Sequence, residues 1–157
     1  MEINLRPIGF VRGGRTEPIN DEWDSVTSRI ELDTDWLSSE AVMGLNGFSH
    51  VEVTFHFHET DPKSIVTTSR HPQDNKNFPL MGIFAQRVHL RPNLLGMTTC
   101  YVLGVEGASI HVRGLDALDG TPVLDIKPCM IDFRPRGDVR QPGWVSSLMS
   151  SYWEKKN

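Results

Sequence analysis

Between Val51 and His58 the chain alternates with a strict period of two: Val51, Val53, Phe55 and Phe57 on one side, Glu52, Thr54, His56 and His58 on the other. That period belongs to a β-strand with one face in a core and the other toward solvent, and a helix of 3.6 residues per turn cannot carry it. Shorter pieces of the same kind surround it. Leu5–Arg12 reads as a first strand broken by Gly13-Gly14, and Ser28–Leu32 as a second. Thr98–Val105 and Ser109–Arg113 read as a hairpin around Glu106-Gly107-Ala108, and Pro122–Ile126 as another buried strand. Ser38 or Ser39 can cap a short helix through Val42, which Gly44 would end. A helical period returns only near the C-terminus. There Trp144, Val145, Leu148, Met149, Tyr152 and Trp153 share one stripe, with Pro142 suited to the first turn. Many short strands with one or two helices make the expected fold mostly β, an antiparallel barrel or sandwich with a C-terminal helix. With 157 residues and no repeat, linker or low-complexity tract, the chain is expected to be a single domain over residues 1–157.

Composition narrows the function classes. The net charge of −4 argues against a generic nucleic-acid binder. The distribution is uneven, however. Residues 1–70 hold 6 Lys/Arg against 12 Asp/Glu, while residues 71–157 hold 10 against 8. An RNA would therefore be met by basic residues of the second half, because binding needs local positive potential rather than global charge. No run of apolar residues is long enough to span a bilayer, and the opening MEINLRPIGFVR lacks a signal peptide's apolar core. Cys100 and Cys129 stand next to apolar strand residues without a CxxC or metal-ligand partner, so reduced thiols and a cytoplasmic location are expected. There is no GxGxxG, P-loop, HExxH or GxSxG motif.

The chemistry concentrates elsewhere. From Gly82 to Pro128 the sequence reads GIFAQRVHLRPNLLGMT, a strand pair, then GLDALDGTPVLDIKP. So many Arg, Asn, Asp, Gly and Pro between short apolar runs suggest a polar ligand site held by special backbone conformations. Pro92 restricts Arg91 to extended conformations, Asn93 tolerates a turn, and Gly96 permits close approach of a ligand or another backbone. Asp119-Gly120 is a turn dipeptide leading through Thr121 and Pro122 into a buried strand. A turn requires neither Asp125 nor Lys127, although a same-face ion pair between them would also explain both. The long polar connection Asp61–Pro79 has the length of a functional loop. His56 and His58, at alternate positions of one strand, also admit a cupin-like metal reading, for which a third ligand appears at no recognisable spacing.

The strings FAQR, RPNLLG and DGTPVLDIKPC resemble the signatures FATR, RPN.IG and DGTPV.DIKPY of the TsaA-like (TrmO, YaeB) family of S-adenosylmethionine-dependent tRNA methyltransferases. The resemblance runs from PIGFVR at 7–12 through GLNGFSHV at 44–51 to Pro128, in the order the family has. It departs at Cys129, where the family usually has Tyr, and residues 129–157 lie outside the shared pattern; the further C-terminal domain of well-known bacterial members is not seen. The resemblance implies a single-domain antiparallel β-barrel, S-adenosyl-L-methionine as cofactor, and no metal. It implies methylation at N6 of threonylcarbamoyladenosine next to the anticodon of tRNA, by a homodimer with the cofactor near its interface and no membrane partner. It places His58, Glu59, Arg87, Met97, Asp119, Gly120, Thr121, Pro122 and Asp125 at the methyl donor, with His58 and Glu59 toward its ribose or adenine edge. Arg91, Asn93 and Lys127 fall to the acceptor RNA. No general base stands out. A donor- or RNA-binding module without turnover, and a methyltransferase with another acceptor, are the competing readings.

Overall fold

The computed structural model describes residues 1–154. Within them the strands are β1 (Gly9–Arg12), β2 (Thr27–Leu32), β3 (His50–His56), β4 (Ser69–Arg70), β5 (Met81–Gly82), β6 (Leu95–Glu106), β7 (Ser109–Arg113) and β8 (Pro122–Pro128). One α-helix, α1, covers Gly143–Leu148. Strands β1, β2, β7, β6, β3 and β8 close, in that order, into a barrel whose neighbours are all antiparallel. The expected mostly β, antiparallel barrel with a C-terminal helix is the fold found.

The barrel closes because each strand alternates. Val11, Ile30, Val51, Val53, Phe55, Ile110, Val112 and Val123 point inward and are essentially removed from solvent, and Leu115 packs with them. These β-branched and aromatic side chains suit a pleated half-buried surface, and each contributes roughly 1.5–3 kcal/mol on burial. Cys100 joins the core as a free thiol pushed up to about 12 by burial and then by the charge of Asp116, so it is chemically quiet.

Several expectations shift at their edges. The first strand begins at Gly9 rather than Leu5, because β1 pairs only from the Gly9–Leu32 register onward. β3 ends at His56, so Phe57 and His58 have left the ladder. The segment after Ser38 is a single turn of 3-10 helix over Ser39–Val42, capped as expected by the Ser38 side chain on Glu40 N–H. The expected helical stripe breaks at Met149. Tyr152 and Trp153 instead lie in a run of turns and bends whose carbonyls, from Ser151 to Trp153, accept bonds from the N–H groups of Glu22, Trp23 and Asp24. Gly96 does leave room for a close approach, but the space is taken by the chain itself: a Cβ there would lie 2.4 Å from the Phe55 ring and 2.9 Å from Phe57.

The polar connection after Asp61 is built from tight turns and the β4–β5 pair. Gln86, where the resembled motif has Thr, is buried and donates through Nε2 to the carbonyls of Arg70 and Met81 at 3.0 and 2.9 Å. The change from Thr to Gln therefore stitches this connection to the loop that carries Arg87.

Candidate functional site

Strand β7 ends opposite Tyr101, so residues 95–100 of β6 extend past it and leave a seam in the barrel wall. Groups from four places in the sequence meet there. Arg87 donates to the carbonyl of Met97, and the Thr98 hydroxyl donates to the carboxylate of Asp116. From the C-terminal tail, the Tyr152 hydroxyl donates to the other oxygen of Asp116. Burial pushes the Asp116 carboxyl up to about 6, against the Tyr152 bond and the Arg87 guanidinium, which both favour its charged form. The Tyr152 hydroxyl is itself pushed up by burial and by the Asp116 charge.

This arrangement has a pH consequence. An Asp carboxyl normally titrates near 3.8, and here it titrates near 6, so the folded state holds its proton more tightly than the unfolded chain. The stability it contributes is present below the lower value and is lost as pH rises through the higher one. At about 1.4 kcal/mol per pH unit, the stability of the native chain relative to an Asp116→Asn variant should fall by about 2–3 kcal/mol across that window. Urea titrations of both proteins at several pH values check this; parallel profiles would remove the raised carboxyl.

At one end of the barrel, the end of β3 meets the start of β8. There the Asp119-Gly120 turn folds back on β1. Gly13 N–H donates to Asp119 Oδ1 at 2.8 Å, and Gly120 N–H donates to the Val11 carbonyl at 2.8 Å. Gly120 has φ of +79°, where a side chain would be strained. The turn carries Thr121 beneath the ring of His58, with Oγ1 3.4 Å from Nδ1, and His58 Nε2 lies 3.9 Å from Glu59. Pro122 opens β8 opposite Phe10, where a missing N–H is tolerated.

The outer sheet face joins these two places. Thr54 in β3 is flanked by Met97 on β6 and Asp125 on β8, and Met97 is 52% exposed. Asp125 and Lys127 form the same-face ion pair anticipated from their spacing. Arg91 donates through Nη1 to the Gln86 carbonyl at 3.0 Å, bracing the loop that presents Arg87. Asn93 and Leu94 have φ of +64° and +52°; Asn accepts that conformation readily, Leu rarely, so this corner is held by its surroundings. The structure thus brings together His58, Glu59, Gly120 and Thr121 at the barrel end, Arg87 and Met97 at the seam, and Met97 with Asp125 on the outer face. Asp119 is engaged with the backbone of Gly13. Among the described residues, no three His, Cys, Asp or Glu side chains lie close enough to hold a metal ion, and no helix is long and apolar enough to cross a membrane.

Sequence reasoning did not single out Asp116, Thr98 or Arg12, whose guanidinium stands 3.9 Å from where a side chain on Gly120 would begin, and took Tyr152 only as part of an apolar helical stripe that could serve a homodimer contact. The repeated Asp in LDALDGTPV was a visible signal for Asp116, but nothing local distinguishes it from Asp119.

A family model of the tRNA-methyltransferase O N-terminal domain matches residues 15–133. The chain belongs to this family. A relative from Methanothermobacter thermautotrophicus, described as a "probable S-adenosyl-L-methionine-binding protein", is 37% identical over 87% of this chain and 97% of its own length. The human tRNA (adenine(37)-N6)-methyltransferase is 37% identical over 65% of this chain but only 23% of the human protein. A crystal structure of TrmO from Pseudomonas aeruginosa superposes with a TM-score of 0.71 at 30% identity, covering 89% of this chain and 62% of that one. The chain therefore spans almost all of the archaeal relative and less than two thirds of the crystallised TrmO. The TrmO match includes the seam, the Asp119–Thr121 turn and the outer face; Arg12 and the Tyr152 tail lie outside it.

Proposed function

We propose that the chain is an S-adenosylmethionine-dependent methyltransferase that modifies N6 of adenosine beside the anticodon of tRNA, with threonylcarbamoyladenosine as the acceptor nucleoside. The observation that carries this reading is the family match over residues 15–133, joined to Arg87 of FAQR on the Met97 carbonyl of β6 and Asp125 of DGTPVLDIKP across Thr54 from Met97. The human relative's name supports N6 of a tRNA adenine as the position modified, and the archaeal relative's name supports the donor.

The residues present fit that donor. Arg87 uses one nitrogen on the Met97 carbonyl and is otherwise exposed, which leaves guanidinium donors for a carboxylate. His58, Glu59, Thr121 and the Gly120 backbone offer hydrogen-bonding groups suited to ribose hydroxyls and an adenine edge, with Pro122 walling that end. Asp119 holds the turn that positions them. Asp125 offers a carboxylate to an ammonium, with Met97 as the apolar neighbour. When bound, the cofactor would supply an activated methyl group on a sulfonium that leaves as a neutral thioether, with the acceptor's N6–H proton passing to water. The protein's part is alignment, which can lower a barrier by roughly 7–11 kcal/mol, so no dedicated general base is needed. Arg91, Asn93 and Lys127 flank this region on the acceptor side. Two copies of the chain would pair through the apolar outer strip of β6 at Leu95 and Met97.

Transfer of labelled methyl to bulk tRNA, followed by nucleoside analysis, tests the reading. The expected product is labelled N6-methylated threonylcarbamoyladenosine, and tRNA lacking the threonylcarbamoyl group should stay unlabelled. Label in another nucleoside would replace the acceptor, and donor binding without transfer would favour a binding module.

A further inference from the structure

A groove of about 430 Å³ opens on the outer face of β3 and β6, on the same face as Met97 and Asp125. Its volume lies within the roughly 300–1,000 Å³ of small-ligand sites. Glu52 and Thr99, directly paired across β3 and β6, form the floor. One wall is Tyr101 with the Arg113 guanidinium stacked 4.3 Å from its ring centre, a pose braced by Asp24, which accepts from Arg113 Nη1 at 3.4 Å. The opposite wall is Phe133 and Arg134, from the segment that follows β8.

Three features narrow what this groove accepts. The walls carry flat π-groups, the Arg113 guanidinium over Tyr101 (whose other neighbour is the His50 ring, centroids 4.4 Å apart) and the Phe133 ring, which is 81% exposed. The floor is a carboxylate. Lys127 is the cross-strand partner of Glu52 but turns to Asp125, and among the described residues Glu52 makes no ion pair. A half-buried carboxylate repels phosphate and accepts hydrogen bonds from an amine. Beyond the outer wall, Arg134, Arg136 and Arg140 are exposed and likewise form no ion pair among the described residues.

We propose that this groove holds the base of one unstacked nucleotide of a single-stranded RNA segment. Glu52 accepts a hydrogen bond from the exocyclic amino group, the ring lies between Phe133 and the Arg113–Tyr101 stack, and Arg134 meets the phosphate. The inference rests on the methyltransferase reading and deepens it. Thr99 and Met97 are two residues apart on one face of β6, so the groove floor lies about 7 Å from the donor residues, within one nucleoside of them.

Fluorescence anisotropy with labelled oligoadenylate and oligouridylate, in low salt, tests it on the intact chain. The wild type should prefer oligoadenylate, because uracil has no exocyclic amine to offer Glu52. Glu52→Ala, which removes the acceptor, should reduce that preference by at least about fivefold, the scale of one good base contact. Phe133→Ala should weaken both oligomers, and Arg134→Ala should weaken both while flattening the salt dependence. Thr99→Val, on the same floor, guards against a Glu52 variant that fails to fold, and should also lower the preference. A wild type that shows no preference, or an unchanged preference in folded Glu52→Ala, overturns the groove assignment. Methyl transfer measured in parallel separates the two claims. Transfer without base preference sinks only the groove, and base preference without transfer sinks only the enzymatic reading.

Discussion

Arg87→Ala lowers affinity for S-adenosylmethionine by about 10- to 100-fold while leaving the barrel folded. The guanidinium is exposed, and its one hydrogen bond among the described residues goes to the Met97 carbonyl on the part of β6 that extends past β7. Removing a charged hydrogen-bond donor from a carboxylate costs about 1.5–3 kcal/mol, which sets the size of the effect. Arg87→Lys keeps the charge but loses the planar fork, so it should fall between the two. A second signature separates a binding role from a structural one. The guanidinium helps hold the Asp116 carboxyl down, so its loss should move the pH-dependent step in stability to higher pH. Titration calorimetry with the donor, beside urea melts across pH, measures both. Unchanged donor affinity with a shifted step would leave Arg87 a partner of Asp116 alone.

The parts of this molecule legible in the sequence are those governed by neighbours in the chain. The alternation of Val51, Val53 and Phe55 specifies β3 and its inward face, and Gly107 with its neighbours specifies the turn between β6 and β7, because both are short-range effects. Long-range pairing is different. Nothing near Gly9 tells that it lies beside both Leu32 and Val123 and closes the barrel. The C-terminal tail shows the same limit more sharply. Its apolar spacing is helical through Trp153, yet the chain leaves the helix after Leu148 for a run of turns, which the Asp116 bond to Tyr152 and the backbone bonds to residues 22–24 hold in place. The site divides in the same way. Gly120 and Asp119 announce their turn, and Asp125 with Lys127 announces their pair, whereas Asp116 gains its character only from burial against β6 and the tail.

Gly9→Ala should cost about 3 kcal/mol or more, large enough to populate unfolded chain at ordinary temperature. A Cβ on Gly9 would stand 2.2 Å from the carbonyl oxygen of Glu31 and 3.0 Å from the Leu32 Cα, both backbone atoms that no rotamer change can move aside. Gly9 also belongs to both ladders of β1, and β1 meets β8 in two ladder pairs, Gly9–Val123 and Phe10–Pro122, flanked by the Ile8 N–H bond to the Val123 carbonyl and the Val11 N–H bond to the Thr121 carbonyl. Pushing β1 off β2 therefore strains the narrowest closure of the barrel. Gly104→Ala, with open space around its Cβ position and no positive φ, should change stability by less than about 0.5 kcal/mol and controls for composition. Urea midpoints of the two variants decide the matter; comparable small shifts would mean that β1 can slide without loss. The closure reaches the candidate site through the Asp119–Gly120 turn, which is bonded to Gly13 and Val11 just beyond Gly9. Whatever fraction of Gly9→Ala remains folded should therefore bind the donor more weakly than the Gly104 control, because the backbone that sets Thr121 beneath His58 is anchored to the strand that has moved.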